Sequence, residues 1–254
     1  MVRVVSVLFL IFFLTPRLAE SQDIIEGATN TWFLANTRVQ ITPKWSVNNE
    51  LHYRLGQFLS DPGQVLMRPS IEYRLNFPVE FSVGYSFIHA QPYKAYEIPM
   101  DRNENNIWEQ VLLRQTVGKV NFQHRFRQEH RWVDRIVDDG DDPYIDGKDF
   151  LNRFRYRITL SVDLLQFDDE GNSIFAAVFD EIWVDQTEKL IFSDFARNWM
   201  YIGLGYNFNP NTNLQLGYIH QSDKAGANTF IQSPILQLSF FKTFDLGKKS
   251  TSDL

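Results

Sequence analysis

FLNRFRYRITLSVDL, residues 150–164, decides the fold. Phe150, Phe154, Tyr156, Ile158, Leu160, Val162 and Leu164 fall at every second position, with Asn152 the one polar member of that set. The intervening set is Leu151, Arg153, Arg155, Arg157, Thr159, Ser161 and Asp163. A period of two is that of a β-strand, whose side chains point alternately to opposite faces. A strand in a globular domain usually runs about five or six residues, and this alternation is far longer. Three arginines in register on one face need water or carboxylate partners. The other face is aromatic at one end and aliphatic beyond. A long, tilted strand with lipid on one side and a wet or ion-paired lumen on the other meets both demands. The stretch therefore predicts one stave of a transmembrane β-barrel.

Working outward, the same alternation returns. Residues 31–41 set Phe33, Ala35, Thr37, Val39 and Ile41 against Asn36, Arg38 and Gln40. Residues 45–55 set Trp45, Val47, Leu51, Tyr53 and Leu55 against Ser46, Asn48, Glu50, His52 and Arg54. Residues 67–75, 79–87 and 120–132 repeat it, as do 197–208, 214–221 and 235–244 nearer the C-terminus. Thr42-Pro43-Lys44, Asn76-Phe77-Pro78, Gly118-Lys119 and the Asn/Pro stretch 209–213 are turn signals. Between them stand longer polar segments at 56–66, 89–106, 133–149, 185–196 and 222–229. Short and long connections alternate, as in barrels with short periplasmic turns and longer external loops. Residues 107–117 are apolar on both faces at Val111, Leu112 and Leu113, which leaves their register open. Residues 174–184 are mostly apolar but carry Asp180 and Glu181, both expected to pair with lumenal arginines. Eleven strands can be counted. Bacterial single-chain barrels carry even numbers, so the expected fold is an all-β, antiparallel, up-and-down transmembrane barrel of 10–12 strands, with ten or twelve preferred. A soluble lipocalin-like barrel would turn its apolar side inward, the reverse of this pattern.

The chain opens with a short basic start and the apolar run VVSVLFLIFFL at 4–14. Eleven residues are too few for a membrane-spanning helix, which needs about 20. With Ala19 and Ser21 at the −3 and −1 positions, residues 1–21 read as a secretory signal peptide cleaved after Ser21. The barrel is expected over 22–244 and a polar tail over 245–254. The absence of cysteine excludes disulfides and an acylated lipoprotein anchor. An exported, cysteine-free chain with 22 Phe, 10 Tyr and 6 Trp points to the Gram-negative outer membrane. Its expected partners there are outer-membrane lipid, lipopolysaccharide and the barrel-assembly machinery. Asp and Glu outnumber Lys and Arg by 31 to 25, which argues against a nucleic-acid partner.

The inward set carries the functional candidates: Arg38, Arg54, Arg68, Arg74, Arg125, Arg127, Arg131, Arg153, Arg155 and Arg157. Its acids are fewer, namely Glu50, Glu72, Glu80, Glu129 and Asp163. Such arginines either pair with the glutamates and fill a narrow structural barrel, or line a narrow channel favouring small anionic solutes. A barrel this small is more often filled than open.

Other signals are weaker. The acidic stretch 138–142 could gather Ca²⁺, but it lacks the alternating ligands of a calcium loop and reads as a solvated loop. His52, His89, His124, His130 and His220 form no metal-ligand spacing. No metal site, cofactor or catalytic set is expected. One alternative stands apart. His220-Gln221-Ser222 resembles the His-x-Ser of outer-membrane lipid A deacylase barrels, where the His activates the Ser for ester attack. A third, carboxylate member has no assigned place, although Asp223 and Asp245 are present.

The stretches FDEIW (179–183), RNWMYIGLGY (197–206) and NLQLGYIHQ (213–221) resemble a family of Gram-negative outer-membrane β-barrel proteins of unknown function. Thr31-Trp32-Phe33, FQHRFRQEHR (122–131) and NRFRYR (152–157) fit its Arg-rich middle. The resemblance covers nearly all of the chain after residue 21. It implies an Asn-His pair before the last strand, where this chain has Ile231-Gln232-Ser233-Pro234. It implies a barrel in the outer membrane and no particular activity.

Overall fold

A computed structural model describes residues 23–76, 78–92, 98–140, 142–168, 171–186 and 192–246. The signal peptide read at 1–21 lies outside them, as does the tail beyond Leu246. The strands are β1 (Asp23–Glu26), β2 (Asn30–Gln40), β3 (Trp45–Gly56), β4 (Asp61–Asn76), β5 (Val79–Ala90) and β6 (Arg102–Val117). They continue as β7 (Val120–Val137), β8 (Tyr144–Gln166), β9 (Ser173–Gln186), β10 (Phe192–Asn209), β11 (Thr212–Lys224) and β12 (Thr229–Asp245). No helix occurs among the described residues.

Neighbours from β2 to β12 pair antiparallel in chain order, and β12 closes the sheet by pairing with β2. The closing pair is parallel: Asn30 stands beside Ile235 and Gln40 beside Asp245. β1 continues the stave of β2, pairing with β12 at Thr229 to Gln232, just before the β2 contact begins. Together β1 and β2 form one interrupted stave, so the barrel has eleven. The preference for ten or twelve strands is thus corrected, as is a wholly antiparallel sheet. An odd count forces the first and last staves to run the same way. The interruption falls at Gly27, whose N–H donates to the Gln232 carbonyl at 2.7 Å. A Cβ there would come within 2.1 Å of Ser233 Oγ and 3.1 Å of the Gln232 carbonyl, so a larger residue would have to push Ser233 aside.

The strands also reach into segments whose composition reads as loop. β7 and β8 stay paired out to Val137 and Tyr144. β6 stops pairing with β7 at Val133, and β9 first pairs with β8 at Asn152. The stretch 134–149 is therefore mostly a two-stranded ribbon standing beyond the barrel wall. Cross-strand charge pairs hold it, Lys148 to Asp134 and Arg135 to Asp149, each at 2.5 Å.

Burial is inside-out. Val83, Ile202, Leu204, Met200 and Ile71 lie on the outer face at 57–61% exposure. Glu80, Glu129, Glu181, Arg127 and Arg155 are at most 2% exposed inside. The period-two reading holds along β2, β3, β5, β7, β8, β10 and β11. It also resolves β6, where Glu104, Asn106, Trp108 and Leu112 are buried and Ile107 faces out.

Candidate functional site: the arginine-filled lumen

All ten arginines singled out from the sequence belong to the inward set, and they fall into two groups. Near the end of the barrel with the short turns, Glu80 gathers Arg38 at 2.7 Å, Arg114 at 3.2 Å and Arg74 at 3.6 Å. Arg38 also reaches Glu72 at 3.1 Å and donates to Ser46 Oγ.

The second group occupies the middle. Its geometry follows from register: Glu129 stands beside Arg153, and Glu181 beside Arg157. Directly paired positions on one face are close enough for ion pairs. Glu129 accepts from Arg153 at 2.6 and 2.8 Å and from Arg155 at 2.8 Å. Glu181 accepts from Arg125 at 2.5 Å, Arg155 at 2.8 Å and Arg157 at 2.8 Å. Arg155 thereby bridges the two carboxylates. Further along, Arg131 forks onto Glu104 at 2.7 and 2.8 Å, and Arg68 donates to Glu50 at 2.8 Å. Arg127 donates to Gln110 at 2.8 and 3.0 Å and lies 4.0 Å from Glu129. With Arg54, this group holds eight arginines around Glu50, Glu104, Glu129 and Glu181.

The arginines do not fill the lumen alone. Trp32, Phe175, Trp183, Trp199, Tyr201, Ile219 and Ile235 are buried together on the inner face of β2 and β9–β12. Trp183 lies between two guanidinium groups, Arg155 at 3.8 Å and Arg153 at 4.3 Å from its ring centre. Trp199 packs on Trp183 at 4.6 Å and on Trp32 at 5.2 Å. Arg54 covers Trp32 at 4.0 Å. On the opposite wall Arg127 covers Trp108 at 4.1 Å. Cation–π contacts are worth about 2 kcal/mol or more when desolvated, so this layer is held by rings as well as carboxylates. It forms a septum. On the side of the longer connections lies a cavity of about 930 Å³ that reaches Arg102, Glu104, Asp223 and Lys224. On the other side lies a chamber of about 280 Å³ that reaches Arg125, Arg157, Phe175 and Tyr201. Arg54 and Arg68 line both.

Four glycines make room for the rings. A Cβ at Gly203 or Gly217 would come within 2.2 Å of Tyr201, one at Gly205 within 2.2 Å of Phe175, and one at Gly84 within 2.2 Å of Trp108.

Of the two acids expected to pair inside, Glu181 does and Asp180 does not. Asp180 faces outward and accepts from Asn198 Nδ2 at 2.8 Å. His220 and Ser222 share that outward face, beside Met200 and Asn198 of β10. Asp223 points inward, where Gln221 donates to it at 2.6 Å and Arg197 pairs with it. In the acidic stretch 138–142, Asp138 accepts from the Gly140 N–H, and Asp141 lies outside the described residues. No cluster of three metal-ligating side chains occurs among the described residues.

The sequence reading missed Trp32, Trp108 and Trp183 as lumenal, and Glu104 and Arg114 as partners. For Trp108 the inward Gly84 was the available signal, since a strand gives up a side chain where a large neighbour needs the space.

The family model described as "Protein of unknown function (DUF2490)" matches residues 29–232. The match covers most of the chain, and the chain belongs to that family. No curated protein matches it.

Proposed function

We propose that this member of the DUF2490 family is an outer-membrane β-barrel held shut by its arginine–tryptophan septum, with basic chambers on either side that take small anionic solutes. The observation that carries the reading is the inside-out burial: apolar side chains exposed around the wall and charged ones at most 2% exposed within. Water would leave that wall unsatisfied, whereas lipid matches it. The outward aromatics support it. Trp45, Phe208 and Phe244 sit at the short-turn ends of their strands, while Trp132 and Phe150 sit where β7 and β8 leave the wall. Two such sets correspond to the girdles at the two faces of a bilayer. The leader-like residues 1–21 fit export, and the short-turn end is assigned to the periplasm.

The septum makes the resting barrel a closed one. Its paired glutamates and stacked rings hold the guanidinium groups of the layer across the lumen. Arginine excess on both sides favours anions. Single-channel recording of the refolded chain in a planar bilayer tests this. Wild type is expected to be silent, and Trp183→Ala combined with Arg54→Ala to pass an anion-selective current. A steady wild-type current would overturn the closed barrel; a cation-selective current in the double variant would overturn the anion preference.

A further inference from the structure

The chamber on the short-turn side of the septum has two unlike walls. One carries Arg68, Arg125 and Arg157, and the other Phe175, Phe179 and Tyr201. Phe179 and Tyr201 stack at 4.8 Å with their planes 7° apart, and the Arg157 guanidinium lies 4.0 Å from the Phe179 ring centre, so the charged and aromatic groups meet at this pair. Glu50 is the one carboxylate in the lining. Glu181, behind it, is shared among three arginines. Buried guanidinium groups in excess of their carboxylates need a counter-anion, because an uncompensated charge in a low-dielectric interior is costly.

A second observation is independent of charge. Trp32 lines this chamber at 4% exposure, and its indole N–H has no hydrogen-bond partner. Arg125 Nε and His52 Nδ1, also in the lining, are likewise buried without a partner. Buried polar groups in folded proteins are nearly always satisfied. Here a Trp donor and an Arg donor, each enclosed within the wall, belong to side chains that line the same space. The space is about 280 Å³, which at about 30 Å³ per water is room for about nine waters, or a small organic molecule of similar size.

We propose that this chamber is a binding site for a small organic carboxylate with an aromatic or short apolar body. The carboxylate lies against Arg125 and Arg157, and the body lies among Phe175, Phe179 and Tyr201. The proposal rests on the anionic-solute reading above and names the solute class.

Calorimetric titration of the full chain without its leader, refolded in detergent, tests it with three probes: benzoate, benzyl alcohol and inorganic phosphate. Benzoate is expected to bind at least tenfold more tightly than either of the others. Benzyl alcohol binding equally well would remove the charged wall from recognition, and phosphate binding equally well would remove the aromatic wall; either result overturns the proposal, as does no benzoate binding. Arg125→Gln is expected to weaken benzoate at least tenfold. Phe179→Leu is expected to weaken benzoate several-fold and leave phosphate unchanged, and equal effects on both probes would count against the assigned pose. Ala177→Phe, which fills the chamber from the inner face of β9, is expected to abolish binding while circular dichroism stays that of the barrel. Binding in detergent is read separately from conduction, so an empty chamber leaves the closed barrel standing, and a conducting wild type leaves the site standing.

Discussion

The lumen has two walls that solve the same packing problem with different chemistry. Along β3 to β8 the inner face is charged and hydrogen-bonded, with Glu129, Arg153 and Arg155 locked in register. Along β9 to β12 and β2 it is aromatic, with Trp183 and Trp199 packed on each other and Tyr201 and Phe175 seated over glycines. The charged wall needs every carboxylate it has, because Glu129 and Glu181 are each shared among several arginines and a buried ion without its counter-ion is destabilising. The aromatic wall needs volume, because its rings fill space left by missing side chains. The two meet where guanidinium planes lie on indoles. A barrel built with one wall alone would either accumulate unpaired charge or lose its polar lumen.

If the charged wall depends on pairing, Glu181→Ala is the most damaging single change. It strands Arg125 and Arg157 and leaves Arg155 with Glu129 alone. The expected loss is about 3–5 kcal/mol of unfolding free energy, read by urea unfolding in detergent. A loss under about 1 kcal/mol would mean that the arginines find water instead. If the aromatic wall depends on volume, Gly205→Leu is the matching test. Its side chain must displace the Phe175 ring, and overpacking of this kind costs about 1–3 kcal/mol. Stability unchanged by that substitution would show a wall with slack in it. Arg74→Ala tests the rim of the charged wall. Arg74 is 41% exposed and 3.6 Å from Glu80, so its removal is expected to cost no more than about 0.5 kcal/mol. Smallest of all is Ser222→Ala. Ser222 belongs to neither wall, and Asp223 is engaged by Arg197 inside. Lipid A from cells expressing the variant is expected to match wild type by mass, and a shift in acyl-chain content would revive the hydrolase reading.

The two walls were not equally legible. The charged wall declares itself in the sequence because Arg and Glu alternate with apolar residues, so the contrast between faces is large at every step. Arg153, Arg155 and Arg157 could be assigned to the lumen before any coordinates. The aromatic wall hides because its strands are apolar on both faces. In β9, Trp183 inside and Ile182 outside look alike to a period-two reading. Asp180 and Glu181, adjacent in that strand, necessarily face opposite ways, and only Glu181 finds arginines. Strand parity was hidden for another reason: local alternation carries no information about how the last stave meets the first. The ribbon at 134–149 was hidden by composition. Its aspartates read as loop, yet cross-strand pairing of Ile136 with Ile145 and of Lys148 with Asp134 keeps it in strand.

The parallel seam between β12 and β2 separates the two ends of the barrel strand order, Asn30 and Asp245. In a barrel with an even number of staves both ends emerge on the same rim, and a short linker can join them to make a circular permutant. Here Asn30 and Asp245 sit at opposite ends of one seam. A joining linker would have to run back along the whole height of β12, 17 residues and so on the order of 50 Å at about 3.3 Å each. The same geometry gives the molecule two addresses: a tag at the amino end and a tag at the carboxyl end of the barrel report from opposite rims.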